Sequence, residues 1–367
     1  MIIDSIRIIR VEMPLVYPFR TAFGDIHTIE SVLVQLTCDG ISGWGESACW
    51  GSPAYSSECS SAQFIISKDH IAPVLIGQDV ASGNDLQDRL KHIKGNYFAK
   101  AAFDLSWWDL HAKIQEKPLW KLLGGVSDSI AVGADFGVME SVSDLLKLIN
   151  KAMIQGYTRV KLKYRPGWEL DMLKQVRNAF PDLPIHIDCN SCYSLADIEM
   201  FKELDRYKLV MIEQPLAHDD LIDHATLQKE LQTPICLDES IVSAEKVRKA
   251  IQIGACKWVN IKLGRVGGIT NALEINRICT ESNIPCWVGG MLESAIGSSH
   301  NLAFATLRNI KYPSDIFPTS RFYDQDLGFP AVEHSAPGRF KASSEFGIGI
   351  IPNKELLKKM TMEQATL

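Results

Sequence analysis

From residue 1 to about 50, apolar and polar positions alternate with the two-residue period of half-buried strands, in IDSIRIIRVEMPL, SVLVQLTCDG and ISGWGES. Asp39-Gly40 stands between the last two as a hairpin turn, so the segment predicts a small antiparallel meander. From about 57 to 123 the apolar residues take helical spacing, as in FAKAAFDLSWWDLHAKI, and Lys117-Pro118 leads into a short helix ending at Gly124-Gly125. Residues 1–125 thus read as a compact α+β unit.

Beyond that point short β-branched runs alternate with amphipathic stretches of ten to fifteen residues, at a spacing of about 25. The runs are IAVGADFGV (130–138), TRVKLK (158–163), IHID (185–188), LVMIE (209–213), ICLD (235–238), WVNIK (258–262) and PCWVGG (285–290), with SDIF (314–317) as an eighth. Buried strands each followed by a helix predict an α/β architecture, a parallel (β/α)8 barrel over residues 126–317. An open doubly wound sheet is the alternative, but no G-x-G-x-x-G follows an early strand.

A chain of 367 residues exceeds what one core usually organises, which agrees with two packed units. The net charge of -6 gives no basic footprint, so neither nucleic acid nor an anionic membrane is expected as a partner, and an anionic substrate must be held by local charge. Asp4, Arg7, Arg10 and Glu12 interrupt the start before a signal-peptide core forms, and no apolar run reaches about 18 residues, so the cytoplasm is expected. The nine cysteines suit a reducing compartment, and the lone pair Cys189 and Cys192 is a weak signal for zinc.

Candidate chemistry lies at the strand ends, where barrel enzymes place their active sites. Strand three ends in Asp188, strand four in Glu213 and strand five in Asp238, at intervals of 25 residues. Three like charges at one rim must be neutralised, and an all-oxygen set suits Mg2+, with Mn2+ as a substitute. Carboxylates that each cap the helix after their strand are the plainer alternative. Asn190 shares the parity of Asp188 and is assigned, with Glu239, to supporting the ligands.

Lys161 and Lys163 alternate with Val160 and Leu162, so both face the lumen from strand two. Mutual repulsion and a nearby metal are expected to lower the pKa of at least one of them. Strand six ends in Lys262, with Asn260 on the same face, and lies across a closed barrel from strand two. A substrate between the strands would then have a lysine on each face of its α-carbon. Structural ion pairing of these lysines with the acids is the alternative.

VKLK, HIDCN, MIEQP, CLDES, NIKLGRVGG and WVGGMLES, in that order, resemble the barrel motifs of the enolase superfamily, in its muconate-lactonising subgroup. The resemblance implies a modified barrel with an α+β cap, Asp188, Glu213 and Asp238 on Mg2+, Lys163 and Lys262 as acid/base pair, and Lys161 on the substrate carboxylate; lysine bases with magnesium are a known pattern of this superfamily. PFRTAFG (18–24) and PAYSSE (53–58) resemble cap loops that close over the substrate, which brings in Phe19 and Tyr55, and the segment 318–367 is expected to pack back on the cap.

Within the subgroup, KYRPGWE, DCNSCY, TPICLDES and GGMLESAIG are most similar to o-succinylbenzoate synthases, which act by dehydration in menaquinone biosynthesis, and to N-acylamino acid or N-succinylamino acid racemases. Arg265, the arginine of GRVGG, is similar to one in racemase-capable members and is assigned to the substrate with Asn260. Asp135 stands where the resemblance implies a small residue such as serine. A pocket-facing Asp135 would repel a succinyl carboxylate or recruit an ammonium group, as in a dipeptide epimerase, whereas a salt bridge to Lys161, the favoured reading, makes it structural. A barrel that binds without catalysis is disfavoured because all three acids and both lysines are present. The expected partner is a small carboxylate, and a homo-oligomer is expected.

Overall fold

The computed structural model describes every residue except 22, 23, 138, 140 and 169, and every other side chain except those of 20 and 21. PFRTAFG, IAVGADFGV and KYRPGWE therefore each include positions outside the described residues.

The meander is formed by β1 (Ser5–Thr21), β2 (Gly24–Cys38) and β3 (Ile41–Ser47), paired antiparallel in that order. Asp39 and Gly40 both take positive φ, 49° and 78°, which is what a two-residue hairpin of matching twist requires. The strands are longer than their alternation suggests because the sheet is buried on both faces. Ile6, Ile8, Val34 and Leu36 pack into one cluster, and Ile9, Val11 and Leu33 into another. Helix α1 (Tyr97–Ile114) also contributes to both clusters, through Phe98 and Leu105 on one side and Phe103 and Leu110 on the other, which explains its almost unbroken apolar text. It lies directly on β3 because Gly43 and Gly45 leave room: a Cβ there would come within 2.3 Å of the Ser106 carbonyl and 2.2 Å of the Ala102 carbonyl.

Seven parallel strands follow: β4 (Ala134–Phe136), β5 (Val160–Lys163), β6 (Ile185–Asp188), β7 (Ile212–Glu213), β8 (Ile235–Leu237), β9 (Trp258–Ile261) and β10 (Cys286–Val288), each paired with the next. The eighth run, SDIF, is not a regular strand. It closes the barrel nonetheless, since Asp315 N donates to the Val288 carbonyl at 2.8 Å and Ser314 N to the Ala131 carbonyl at 3.0 Å. Pro313 and Pro318 bracket this segment, and lacking N–H groups they limit a longer ladder. The barrel domain is thus a closed, irregular member of the (β/α)8 class.

After the barrel the chain returns to the cap: β11 (Thr361–Thr366) adds an antiparallel edge to β1, with Arg7 opposite Thr366. No helix among the described residues is long and apolar enough to cross a membrane, and the nine cysteines carry no disulfide.

Candidate active site

The C-terminal ends of the barrel strands face a pocket roofed by Phe19, Trp50 and Tyr55 from the cap. Phe19 meets Trp50 edge to face at 6.4 Å, and Trp50 donates from Nε1 to the Met291 carbonyl at 3.2 Å, which ties roof to barrel. The loop carrying Tyr55 is pinned by Glu58, whose carboxylate accepts from Phe98 N at 3.1 Å and Ala99 N at 3.2 Å in the first turn of α1.

Register sets the floor. Lys163 stands opposite Asp188 and Asp188 opposite Glu213, while Asp238 follows the last residue of β8. Val160 and Leu162 are buried on the other face of β5, so Lys161 and Lys163 both turn inward. Lys163 Nζ lies 2.8 Å from Asp188 and also donates to Asn190 Oδ1. Asn190, at φ 43°, turns its amide onto Glu239 Oε1 at 3.1 Å. Lys262 Nζ, on the far side, donates to Asp238 Oδ2 at 2.9 Å and to Tyr55 Oη at 3.0 Å, and sits 4.6 Å from the Tyr55 ring centroid. Gly289 leaves that lysine its place, since a Cβ there would lie 2.8 Å from Lys262 Cε.

Two residues assigned to the substrate turn instead to the acids. Asn260 is fully buried and donates to Glu213 Oε1 at 2.7 Å. Arg265, also buried, pairs with Asp238 and donates to Tyr55 Oη at 3.1 Å, to the Ile241 carbonyl at 2.9 Å and to the Asn260 carbonyl at 2.6 Å. With its donors so engaged, Arg265 orients Asp238 and Tyr55 and does not line the pocket.

Asp135 requires a correction. It lines the pocket, but Lys161 pairs with Asp315 at 2.8 Å, Asp188 at 3.2 Å and Glu213 at 3.4 Å, and no salt bridge to Asp135 forms. Asp135 Oδ1 is buried without a hydrogen-bond partner. The reason is competition: Asp315, from the closing segment, reaches the same ammonium and also neutralises buried Arg159. Sequence reasoning took SDIF only as a strand and missed this acid. A signal was present, since Arg159, Lys161 and Lys163 share one parity and three inward cations need more than Asp188 to balance them.

The acids around them hold the lysine ammoniums in the charged form. Burial works against the Lys161 ammonium, but Asp315, Glu213 and Asp188 outweigh it and hold its pKa well above the usual range. Burial likewise opposes the Lys163 charge, and Asp188 overcomes it. Asp188 itself is depressed despite burial, because Lys163 and Lys161 stabilise its charge. Glu213 moves the other way, raised by burial and by Asp188, and Glu239 is pushed up to about 7 by burial and Asp238.

Among the described residues no three His, Cys, Asp or Glu side chains stand together as a finished metal cage. Each acid is turned to a cation or amide: Asp188 to lysines, Asp238 to Lys262 and Arg265, Glu213 to Asn260. The donor chemistry nonetheless fits a hard cation, for Glu213 Oε2 and Glu239 Oε2 are buried oxygens without a hydrogen-bond partner.

A closed barrel with acids on three successive strands, inward lysines on either side and an α+β roof defines a protein of the enolase superfamily. Residues 144–356 match the family described as enolase C-terminal domain-like, and residues 3–124 match the mandelate racemase / muconate lactonizing enzyme N-terminal domain. The chain belongs to this family. It is similar to an o-succinylbenzoate synthase of Geobacillus kaustophilus, 42% identical over 98% of this chain and 96% of that one. An N-succinylamino acid racemase of Thermus thermophilus is 39% identical over 96% of each chain. A crystal structure of an enolase-superfamily member from Listeria innocua, 39% identical, superposes with a TM-score of 0.97 over 100% of this chain and 99% of that one.

Proposed function

We propose that this protein is an enzyme that removes a proton α to a carboxylate through an enediolate, acting as an o-succinylbenzoate synthase. The observation that carries the reading is the pair Lys163 and Lys262, one from β5 and one after β9, lining one pocket beside Asp188. Asp188, Glu213 and Asp238 would hold Mg2+, or Mn2+ in its place, with Asn190 and Glu239 supporting them. When bound, the cation would supply positive charge where the enediolate's negative charge develops.

The chain's own residues account for the rest. Lys161 places an ammonium against the substrate carboxylate. Engaging Asp188 on a cation would remove the main charge that holds Lys163 protonated, while burial and Lys161 favour the neutral amine that a base requires, against a smaller opposing influence of Asp135. Lys163 then takes the α-proton and returns it to the departing hydroxyl, which leaves as water, while Lys262 steadies the anion from the opposite face. Trp50, Phe19 and Tyr55 keep water from the reacting carbon.

One observation favours a second activity, racemisation of N-succinylamino acids. Lys163 and Lys262 have matching environments, each an ammonium on one carboxylate at 2.8 Å and 2.9 Å, so each can serve one face of the same carbon. The test is α-proton exchange in heavy water with magnesium present. Lys163→Ala and Lys262→Ala should each abolish racemisation while leaving exchange of opposite enantiomers. Loss of the same enantiomer's exchange in both variants would show that the lysines do not flank the carbon.

A further inference from the structure

Three of the four cations lining the pocket are already matched by acids: Lys161 by Asp315 at 2.8 Å, Lys163 by Asp188 at 2.8 Å and Lys262 by Asp238 at 2.9 Å. The fourth, Arg321, has no carboxylate partner among the described residues. Its guanidinium is nevertheless held in place. Nη2 donates to the Asp135 carbonyl at 3.0 Å, and the guanidinium carbon lies 4.4 Å from the ring centroid of Phe317 and 5.7 Å from that of Phe322. Stacking and one hydrogen bond fix the plane of the fork and leave its other N–H groups for an anion, at little further cost in side-chain entropy.

The position of this cation matters as much as its freedom. The Asp135 carbonyl belongs to β4, the strand beside β5, and Asp135 stands opposite Lys161 in register, so Arg321 reaches the pocket from the edge of the lysine-bearing strand. The pocket is also lined by the apolar side chains of Phe19, Met291, Leu292 and Phe322. Such a pocket fits a ligand that carries a second anion beside its reacting carboxylate. The unpaired Asp135 carboxylate in the same pocket strengthens the point, because a second substrate anion would be repelled there unless a cation stood beside it.

We infer that Arg321 is a specificity-determining residue that receives a second carboxylate, carried on the substrate's acyl arm. The inference rests on the reading that the reacting carboxylate lies beside Lys161, and it selects dicarboxylic, succinyl-type acyl groups over short neutral ones.

The experiment compares wild type, Arg321→Met and Arg321→Lys, all loaded with magnesium, on an N-succinyl and an N-acetyl amino acid of the same side chain. For Arg321→Met the ratio of kcat/KM, succinyl over acetyl, should fall by about 10- to 100-fold, through KM more than kcat, the range expected for losing a charged hydrogen bond. Arg321→Lys should recover part of it. Equal losses on both substrates, or no loss on either, would overturn the assignment. Calorimetric titration of the same two ligands keeps the anchor and the reaction apart. A succinyl preference in wild type that vanishes in Arg321→Met supports the anchor even without α-proton exchange, and failed exchange counts only against the reaction. Equal calorimetric affinity of wild type for the two ligands overturns the anchor.

Discussion

Asp315 Oδ2 lies 2.8 Å from Lys161 Nζ, and the Oδ1 of the same carboxylate pairs with Arg159, so one buried acid at the barrel's closure balances two inward cations. Arg159 is further held by the Pro313 carbonyl at 2.7 Å, and Gly133 is small because a Cβ there would overlap the guanidinium. Removing one partner from a buried ionic cluster typically costs about 3–5 kcal/mol, since the remaining charge cannot rehydrate.

Asp315→Asn keeps the shape and removes the charge, so it is expected to lower unfolding stability by roughly 3 kcal/mol. The substrate carboxylate should also bind more weakly, because Lys161 loses its main positioning contact. Denaturant unfolding checks the first outcome and KM the second. A stability change below about 1 kcal/mol would mean that Asp188 and Glu213 suffice to hold Lys161.

Metal removal gives a second expectation. Three acids at one rim are balanced in this structure by lysines that the proposed reaction needs for other work, so chelation should abolish turnover and magnesium should restore it. Binding to the folded state should also raise the melting temperature, and Glu213→Gln should remove most of that rise. Full activity after exhaustive chelation would sink the metal assignment.

Much of this was legible because barrel chemistry is periodic. Acids 25 residues apart on successive buried strands, and two lysines of one parity, identify a rim before any coordinates exist. The Asp39-Gly40 hairpin was legible for the same kind of reason, as local chemistry that demands positive φ. Asp315 and Arg321 were not, because one lies within and the other just after an irregular segment bracketed by prolines, and neither carries a period. Asn260, faced inward by parity, and Arg265, named from its motif, turn to Glu213 and Asp238, since parity and motif do not say whether a nearer acid claims a side chain. The same competition moved Asp135 from partner of Lys161 to unpaired carboxylate.

Glu46 supplies a pH test of the join between cap and barrel. It lies on β3, fully out of solvent, and accepts from Ser294 Oγ at 2.5 Å, Gly297 N at 3.0 Å and Ser31 Oγ at 3.1 Å. Burial, only partly offset by these donors, pushes its pKa from 4.5 up to about 7. The folded state therefore binds more protons than the unfolded chain between these values, and its stability falls as pH rises through the window and levels off above 7. Gln at this position cannot ionise and can donate to Ser31 Oγ. The stability of Glu46→Gln relative to wild type should thus improve by about 2–3 kcal/mol between pH 5 and pH 8. A difference that does not change with pH would place Glu46 ionised at both.

Asp135 is the position where one charge bears most directly on the substrate. Had it neutralised Lys161, its loss would lower turnover on every substrate alike; with Asp315 in that role, Asp135→Ser removes only an unpaired carboxylate from the pocket. At an effective dielectric of about 20, two unit charges roughly 8 Å apart repel by about 2 kcal/mol. Arg321, bonded to the backbone carbonyl of residue 135, offsets part of this and keeps its hydrogen bond in the variant. The expected result is a gain of about tenfold in kcat/KM on succinylated substrates, through KM, with little gain on N-acetyl amino acids that lack a second carboxylate. Dipeptides, whose ammonium would be drawn to the carboxylate, should bind less well than to wild type. Assays of both proteins against the o-succinylbenzoate precursor, N-succinyl amino acids, N-acetyl amino acids and dipeptides check all of these together. A uniform loss across the four would mean that Asp135 holds the lysines after all, at longer range than a salt bridge.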